Sequence, residues 1–391
     1  MPLPAANVHA WRIERQLLGL ERAASPEDVA WRLVGVQAQV TSSAALAIAL
    51  RSKPVASGKA TDQTAVALRK RRLVRAWAMR GTLHLFAAAD VPTVAAALGK
   101  KEPWRRPAWL RWFGVDELEM ERLIDTIGEV LDDGRPRTRA ELAEEIGARV
   151  GPTAGKLLLG SWGSALKVAS DRHYLVQSAG DDAGVRFVRA SRWVADWRVE
   201  DADEALASLV ERYFAAYGPA TLREIRRWWG VANLNEVRRA IEQLADRLTE
   251  VDVGGTRAWV RTADLDAIAA TRARSGEVQL VGGFDPFIVG AGLRDQLLPA
   301  THVKRVSRTA GWISPVLLVD GRAAGVWDSK RSGDQLTVTV DVFAPIAGGM
   351  RRAIGKAADR VAAAQGAAAN VEFGPVFTEK GPPLVITPET A

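Results

Sequence analysis

Residues 201–263 most constrain what this chain can fold into: three helical segments in quick succession, then a tight hairpin. In DADEALASLVERYFAAYG the apolar residues Leu206, Leu209, Val210, Tyr213, Phe214 and Tyr217 recur at helical spacing. Gly218 ends that helix, and Thr221 with Glu224 predicts a capping box for TLREIRRWW, which Gly230 closes. Asn233 or Asn235 starts a third helix, with Leu234, Val237, Ile241 and Leu244 on one face. LTEVDV and TRAWVRT then flank Gly254-Gly255, a hairpin signal. Three helices followed by a hairpin predict a winged helix, an elaboration of the helix-turn-helix.

The order recurs upstream. VDELEMERLIDTIGEVLDD, RTRAELAEEIG (Thr138 capping, Glu141 three residues on) and GKLLLGSWGSALKVAS predict three helices. YLVQS and VRFVRAS around the polar turn 179–184 complete a second unit. PRTRAELAEEIG and PATLREIRRWWG share a layout, which points to an internal repeat. A looser copy opens the chain, where Ser25 caps a helix with Pro26 at its first position and Glu27 and Asp28 in its first turn. TDQTAVALRKRR, LVRAWAMRG and TLHLF complete it. Beyond about 275, VQLVGGFDPFIVG, SPVLLVD, AAGVW and DQLTVTVDVFA are strand-like, MRRAIGKAADRVAAAQ is an appended helix, and PPLVITPETA a loosely ordered tail. The expected architecture is α+β: three tandem winged helices (1–112, 113–199, 200–270) forming a concave basic groove, with a β-rich C-terminal domain (271–391).

At 391 residues, several sub-domains are expected rather than one core. Cysteine is absent, which excludes disulfides, thiolate metal sites and cysteine nucleophiles, and with four histidines in no ligand spacing no metal or other cofactor is expected. Neither a signal peptide nor an apolar membrane span is legible, so a cytoplasmic protein away from membranes is expected. No dimerisation segment is evident, so one molecule is expected to wrap its ligand as a monomer. A net charge of +7 suits a polyanion. Double-stranded DNA is the expected partner, because the basic residues fall on DNA-type modules. Arg238 and Arg239 lie on the third helix of the clearest unit, with Arg223, Arg226 and Arg227 on the preceding one. Arg69, Lys70, Arg71, Arg72 and Arg75 lead into the first wing. Lys100, Lys101, Arg105 and Arg106 interleave with Trp104, Trp109 and Trp112, a pairing suited to gripping a backbone while stacking on bases. Each cluster taken alone also reads as an ordinary solvated face.

GVQAQVTSSAALAIALRS, WAMRGTLHLF, YGPATLREIRRWWG, FDPFIVG and PVLLVDGRAAGVW together resemble the AlkZ-type (YcaQ-like) helix-turn-helix DNA glycosylases, in matching order over about residues 10–345. The resemblance implies excision of bulky N7-alkylated purines, unhooking of interstrand crosslinks, and for some members self-resistance to DNA-alkylating antibiotics. A related branch has aspartate for the second glutamine; this chain keeps Gln39 and so looks like the crosslink, antibiotic-associated branch. An N7-alkylated purine is already cationic and leaves without strong acid catalysis, so neutral amides, each with an acceptor and two donors, suffice to place a water. On the resemblance, Gln37 and Gln39 position that water and stabilise the developing sugar cation. Taken without it, they read as polar residues at a helix end.

Arg80 is expected to anchor a phosphate, and His84 either touches DNA or is packed and hydrogen-bonded in the core. Asp285 reads as a turn-former before proline ahead of an acid-base group. The family's basic DNA-entering hairpin falls, by resemblance, at THVKRVSRTAG with Lys304, Arg305 and Arg308. The alternative to a monofunctional glycosylase is a non-enzymatic winged-helix protein that regulates transcription or sequesters lesions.

Overall fold

Helices start where the sequence supplies oxygen-bearing caps. Ser25 accepts from the Asp28 amide at 3.2 Å and opens Pro26–Arg32. Thr138 with Glu141, and Thr221 with Glu224, close capping boxes on Arg139–Val150 and Leu222–Trp229. Each cap satisfies amides that a helix's first turn leaves without partners. The computed structural model in which these elements are seen describes all residues except 56–57, 100–101, 161–163, 179–183, 231–233, 273–274 and 377–391. Asn233, Lys100, Lys101, the polar turn but for Gly184, and the whole of the expected loose tail lie outside the described residues.

The chain divides into two compact units, one of Met1–Val66 with the residues from Val210 on, the other of Ala67–Leu209. In the first unit the clearest winged helix is as expected. Helices Ala202–Tyr217 (which enters from the other unit), Leu222–Trp229 and Leu234–Gln243 precede the hairpin Leu248–Val253/Thr256–Arg261. Residues near position 1 join it without any local signal: Pro2–Leu3 adds a parallel strand, Pro2 opposite Asp252 and Leu3 opposite Val253. Leu3, Val8, Val251, Val253, Ala258 and Val260 are buried together beneath the wing.

The C-terminal sheet runs Val278–Val281, Val316–Val319, Arg322–Ser332, Gln335–Val342, Ala368–Phe373 in spatial order. Its last strand pairs parallel with the fourth, so the helix Gly348–Ala364 between them is a crossover and not an appendage. Ile354, Ala357, Ala358 and Val361 on that helix bury Leu280, Leu317, Val338 and Val340. Leu46 and Ala49, from the helix Thr41–Ala49, join the same core.

In the second unit the hairpin Leu73–Trp77/Leu83–Ala87 does not close on its own module. Its first strand pairs through Arg75 with Gln177, and so shares a sheet with Val176–Gln177, Arg186–Val188 and Arg137–Thr138. This shared sheet runs across the linear boundary expected near residue 112. The helix expected across GKLLLGSWGSALKVAS is two, Pro152–Leu159 and Ser164–Asp171, because Gly160 leaves helical geometry at the end of the first. The core of this unit gathers Leu123, Ile124, Ile127, Leu142, Ile146, Leu158, Leu166 and Phe187 around Trp104.

Candidate functional site

Gln37 and Gln39 lie in a short link between two helices of the first unit. After Pro26–Arg32 the chain reverses through left-handed residues Val34 (φ 54°) and Gly35 (φ 94°), the Gly35 amide returning to the Ala30 carbonyl at 2.8 Å. It then runs through Val36 and Gln37 as a two-residue strand, and the helix Thr41–Ala49 begins with Val40 as an N-cap that has no side-chain bond. Val36 and Ala38 are both 0 % exposed, while Gln37 is buried and Gln39, in the bend that follows the strand, is half-buried. Each amide offers one acceptor oxygen and a two-hydrogen donor.

The surroundings of the link are tied from far along the chain. The Tyr217 hydroxyl donates to the Leu33 carbonyl at 2.8 Å, and its ring stacks on Tyr213 at 5.1 Å. Arg212 lies over the Trp31 ring at 4.7 Å and donates to the Trp31 carbonyl. At the far end of Thr41–Ala49, Arg51 forms a bidentate pair with Asp285, 2.8 and 2.6 Å, with both side chains 0 % exposed. Arg51 also donates to the carbonyls of Gln16 and Ala47, each at 2.9 Å. Asp285 accepts from the Phe287 amide at 2.9 Å and caps the turn Pro286–Val289. The turn-forming role expected of Asp285 is present, but its ion pair was not legible, because Arg51 is 234 residues away.

The comparisons with known proteins converge on this chain. The DNA glycosylase AlkZ-like family model matches residues 30–364. This chain belongs to that family. Over 330 residues it is 36 % identical to a protein of Streptomyces sahachiroi called interstrand DNA cross-link repair glycosylase, covering 82 % of this chain and 87 % of the relative. The solved structure of Streptomyces sahachiroi DNA glycosylase AlkZ superposes with a TM-score of 0.87 at 33 % identity, over 96 % of this chain and all of that one. The AlkZ-like fold, with its winged-helix repeats and β-rich C-terminal region, is therefore that of a DNA glycosylase.

Within this AlkZ-like chain the residues expected at DNA are variously placed. Arg238 and Arg239 are exposed on Leu234–Gln243, as expected of a recognition helix. On the preceding helix Arg223 is exposed, whereas Arg227 turns inward to the Ala291 carbonyl at 2.8 Å. Arg71 and Arg72 are exposed before the first hairpin, Arg71 lying over the Trp193 ring at 3.9 Å. Arg75, inside the strand, is half-buried, and burial pulls it below the usual arginine value.

Arg80 takes up the hairpin tip in the left-handed region (φ 59°), half-buried. Its guanidinium lies 3.4 Å from His84 Nε2, while His84 Nδ1 is 2.9 Å from the Thr82 carbonyl. With Nδ1–H donating to that carbonyl, Nε2 is left as an acceptor toward Arg80. His84 is 2 % exposed, and burial with Arg80 alongside pushes its pKa down to about 3. A surface contact from His84 is thus corrected to the packed reading; anything it contributes passes through Arg80.

The basic and aromatic group near residue 104 is also corrected. Trp104 is 0 % exposed at the core, and Arg105 is held by Glu102, Glu117 and Glu121, so neither is offered to a base or phosphate. Trp112, in contrast, is 76 % exposed.

The segment expected as a basic hairpin is a short helix, Val303–Val306, followed by a narrow loop. A bridge between Ser307 and Ile313 closes that loop, with the Arg308 amide on the Trp312 carbonyl at 2.8 Å. Lys304 is exposed; Arg305 pairs with Asp341 and lies 4.9 Å over the Phe343 ring. Among the described residues no group of carboxylates and histidines is arranged to hold a metal ion, and no helix is long and apolar enough to cross a membrane.

Proposed function

We propose that this DNA glycosylase hydrolyses the N-glycosidic bond of N7-alkylated purines, bulky adducts included, and unhooks interstrand crosslinks through the same bond. The observation that carries the reading is the Gln37-Ala38-Gln39 link between two helices, in a chain 36 % identical to a protein named for crosslink repair. Alkylation at N7 gives the base a positive charge, so it leaves as a neutral molecule and needs no general acid. The remaining work is to place a water at the anomeric carbon and to stabilise an oxocarbenium-like sugar. Gln37 and Gln39 do both: one amide oxygen accepts a hydrogen of the water and orients its lone pair, and the other faces the developing positive charge. Water is the nucleophile, so the enzyme is monofunctional and leaves an abasic site in an unbroken strand. A bulky or crosslinked base is too large for the closed pocket in which most base-processing enzymes hold a flipped nucleotide. Arg71, Arg72, Arg75, Arg80, Arg238, Arg239, Lys304, Arg305 and Arg308 supply the backbone contacts that hold such DNA in place. Some AlkZ-type enzymes protect antibiotic producers, and we extend that self-resistance role to this chain.

The deciding experiment uses a duplex oligonucleotide with one N7-alkylguanine. The native protein releases the base and leaves a site that breaks only on later alkali treatment. Gln37→Ala/Gln39→Ala folds, binds DNA, and slows release by at least about 100-fold, the scale seen when a preorganised transition-state group is lost. Full activity in the double variant would remove the glutamines from the mechanism. Tight binding with no base release from alkylated or crosslinked duplexes would instead mark a sequestering or regulatory protein.

A further inference from the structure

The Arg51–Asp285 pair is placed where it can set the position of the glutamine link. A fully buried ion pair is weak evidence for stability, because well-packed apolar residues often support a fold as well. Its particular property is geometric: two guanidinium hydrogens on two carboxylate oxygens fix orientation as well as distance. Here both groups are 0 % exposed and bonded on every side, Arg51 to the Gln16 and Ala47 carbonyls and Asp285 from the Phe287 amide. Between them the helix Thr41–Ala49 lies against a strip of two glycines. A Cβ on Gly282 would be 3.3 Å from Leu46 Cδ2, and one on Gly283 would be 3.6 Å from Ser43 Oγ. Next in the strip, Phe284 is held left-handed (φ 56°), with its amide 3.3 Å from the Ile313 carbonyl and its ring edge-on to Trp312 at 5.0 Å. A bulky residue stays in that conformation only where its surroundings over-determine it.

We infer that Arg51 and Asp285 are positioning residues: their pair fixes the register of Thr41–Ala49 on residues 282–285, and through that helix the place of Gln37 and Gln39. Small apolar contacts such as Leu46 on glycine permit sliding, and a bidentate pair does not. Helix rise is about 1.5 Å per residue, and a misplacement of about 1 Å at reacting groups can cost roughly 100-fold in rate. The inference rests on the reading of the glutamines given above.

The test compares native protein with Asp285→Asn and with Arg51→Met/Asp285→Leu, which replaces the pair by apolar side chains of similar size. Single-turnover base release is measured on a duplex with one N7-methylguanine, alongside DNA Kd, thermal unfolding and amide exchange. Both variants should release base at least about tenfold more slowly with Kd within about threefold of native. Amides of residues 36–49 should exchange faster in both, with the rest of the chain unchanged. A double variant that folds and works at the native rate overturns the proposal, as does a rate loss fully matched by lost affinity. Failure of the double variant to fold also overturns it, since the pair is then needed for stability itself. If the native protein releases no base from this duplex, the reading of the glutamines is what fails, and exchange at residues 36–49 decides the positioning claim alone.

Discussion

The wing of the third module and the hairpin of the first are built on the same plan and finished differently. Leu248–Val253 and Thr256–Arg261 stay in register from Leu248/Arg261 to Val253/Thr256, and Gly254 and Gly255 turn the chain at φ 58° and 81°. A two-residue hairpin turn of type I′ needs positive φ at both positions, and glycine provides it without steric cost. The first hairpin is as regular along its strands, from Leu73/Ala87 to Trp77/Leu83. Its tip is not: the left-handed position before Gly81 is filled by Arg80, braced from below by His84. A non-glycine residue there costs about 1–2 kcal/mol. One hairpin thus uses the residues its shape prefers, while the other holds a strained arginine where glycine would be easier. Such a conformation persists only where its surroundings over-determine it, as the His84 contact does here.

Substitutions at the two tips separate these roles. Gly254→Ala/Gly255→Ala should cost about 2 kcal/mol of stability in denaturant unfolding. Its rate of base release should stay native below the transition. Arg80→Ala should weaken DNA binding about tenfold, near 1.4 kcal/mol, and lower the salt dependence of binding by about one phosphate contact. Equal losses of DNA affinity in both variants would erase the distinction between the hairpins. Arg80→Gly sharpens it, because it removes the charge and the strain together. It should bind as weakly as Arg80→Ala yet be more stable by about 1 kcal/mol. The smallest effect concerns pH. Burial and Arg80 put the folded pKa of His84 at about 3, below its ordinary 6.5. The unfolded chain therefore binds this proton first as pH falls, so stability is complete above 6.5 and declines from there toward 3. Between pH 7.5 and 6.0 the decline from one such histidine is under about 1 kcal/mol. His84→Gln should lessen that decline, measured as the shift in denaturation midpoint between the two pH values.

Local signals in the sequence are legible. Ser25, Thr138 and Thr221 each cap the helix that their spacing predicted, and the Gly254-Gly255 pair marked its turn. Such signals act within a few residues, so the chain displays them directly. What stayed hidden depends on partners distant in sequence. Pro2–Leu3 is too short to announce a strand until residues 252–253 lie beside it. The Leu73–Ala87 hairpin shows no sign that Gln177 will extend its sheet. The tryptophans around residue 104 looked alike, yet Trp104 is enclosed and Trp112 is open, because the residues that bury one of them are contributed by later helices. At the candidate site the glutamine link was legible through family resemblance. Its anchoring by Tyr217 and by Asp285 was not, since neither residue bears a motif that points to residues 33 or 51.

The discontinuity of the first unit has a consequence for the order in which the molecule can assemble. Ala67–Leu209 is one uninterrupted stretch, able to condense while it leaves the ribosome. The segment with Gln37 and Gln39 is made earlier, but the carboxylate that receives the Arg51 guanidinium is 234 residues further on. Until Asp285 emerges, Arg51 has no counter-charge with which to enter an apolar interior, and the arginine stays hydrated. Synthesis thus makes the inserted unit whole before the glutamine segment, translated ahead of that unit, can be locked in place.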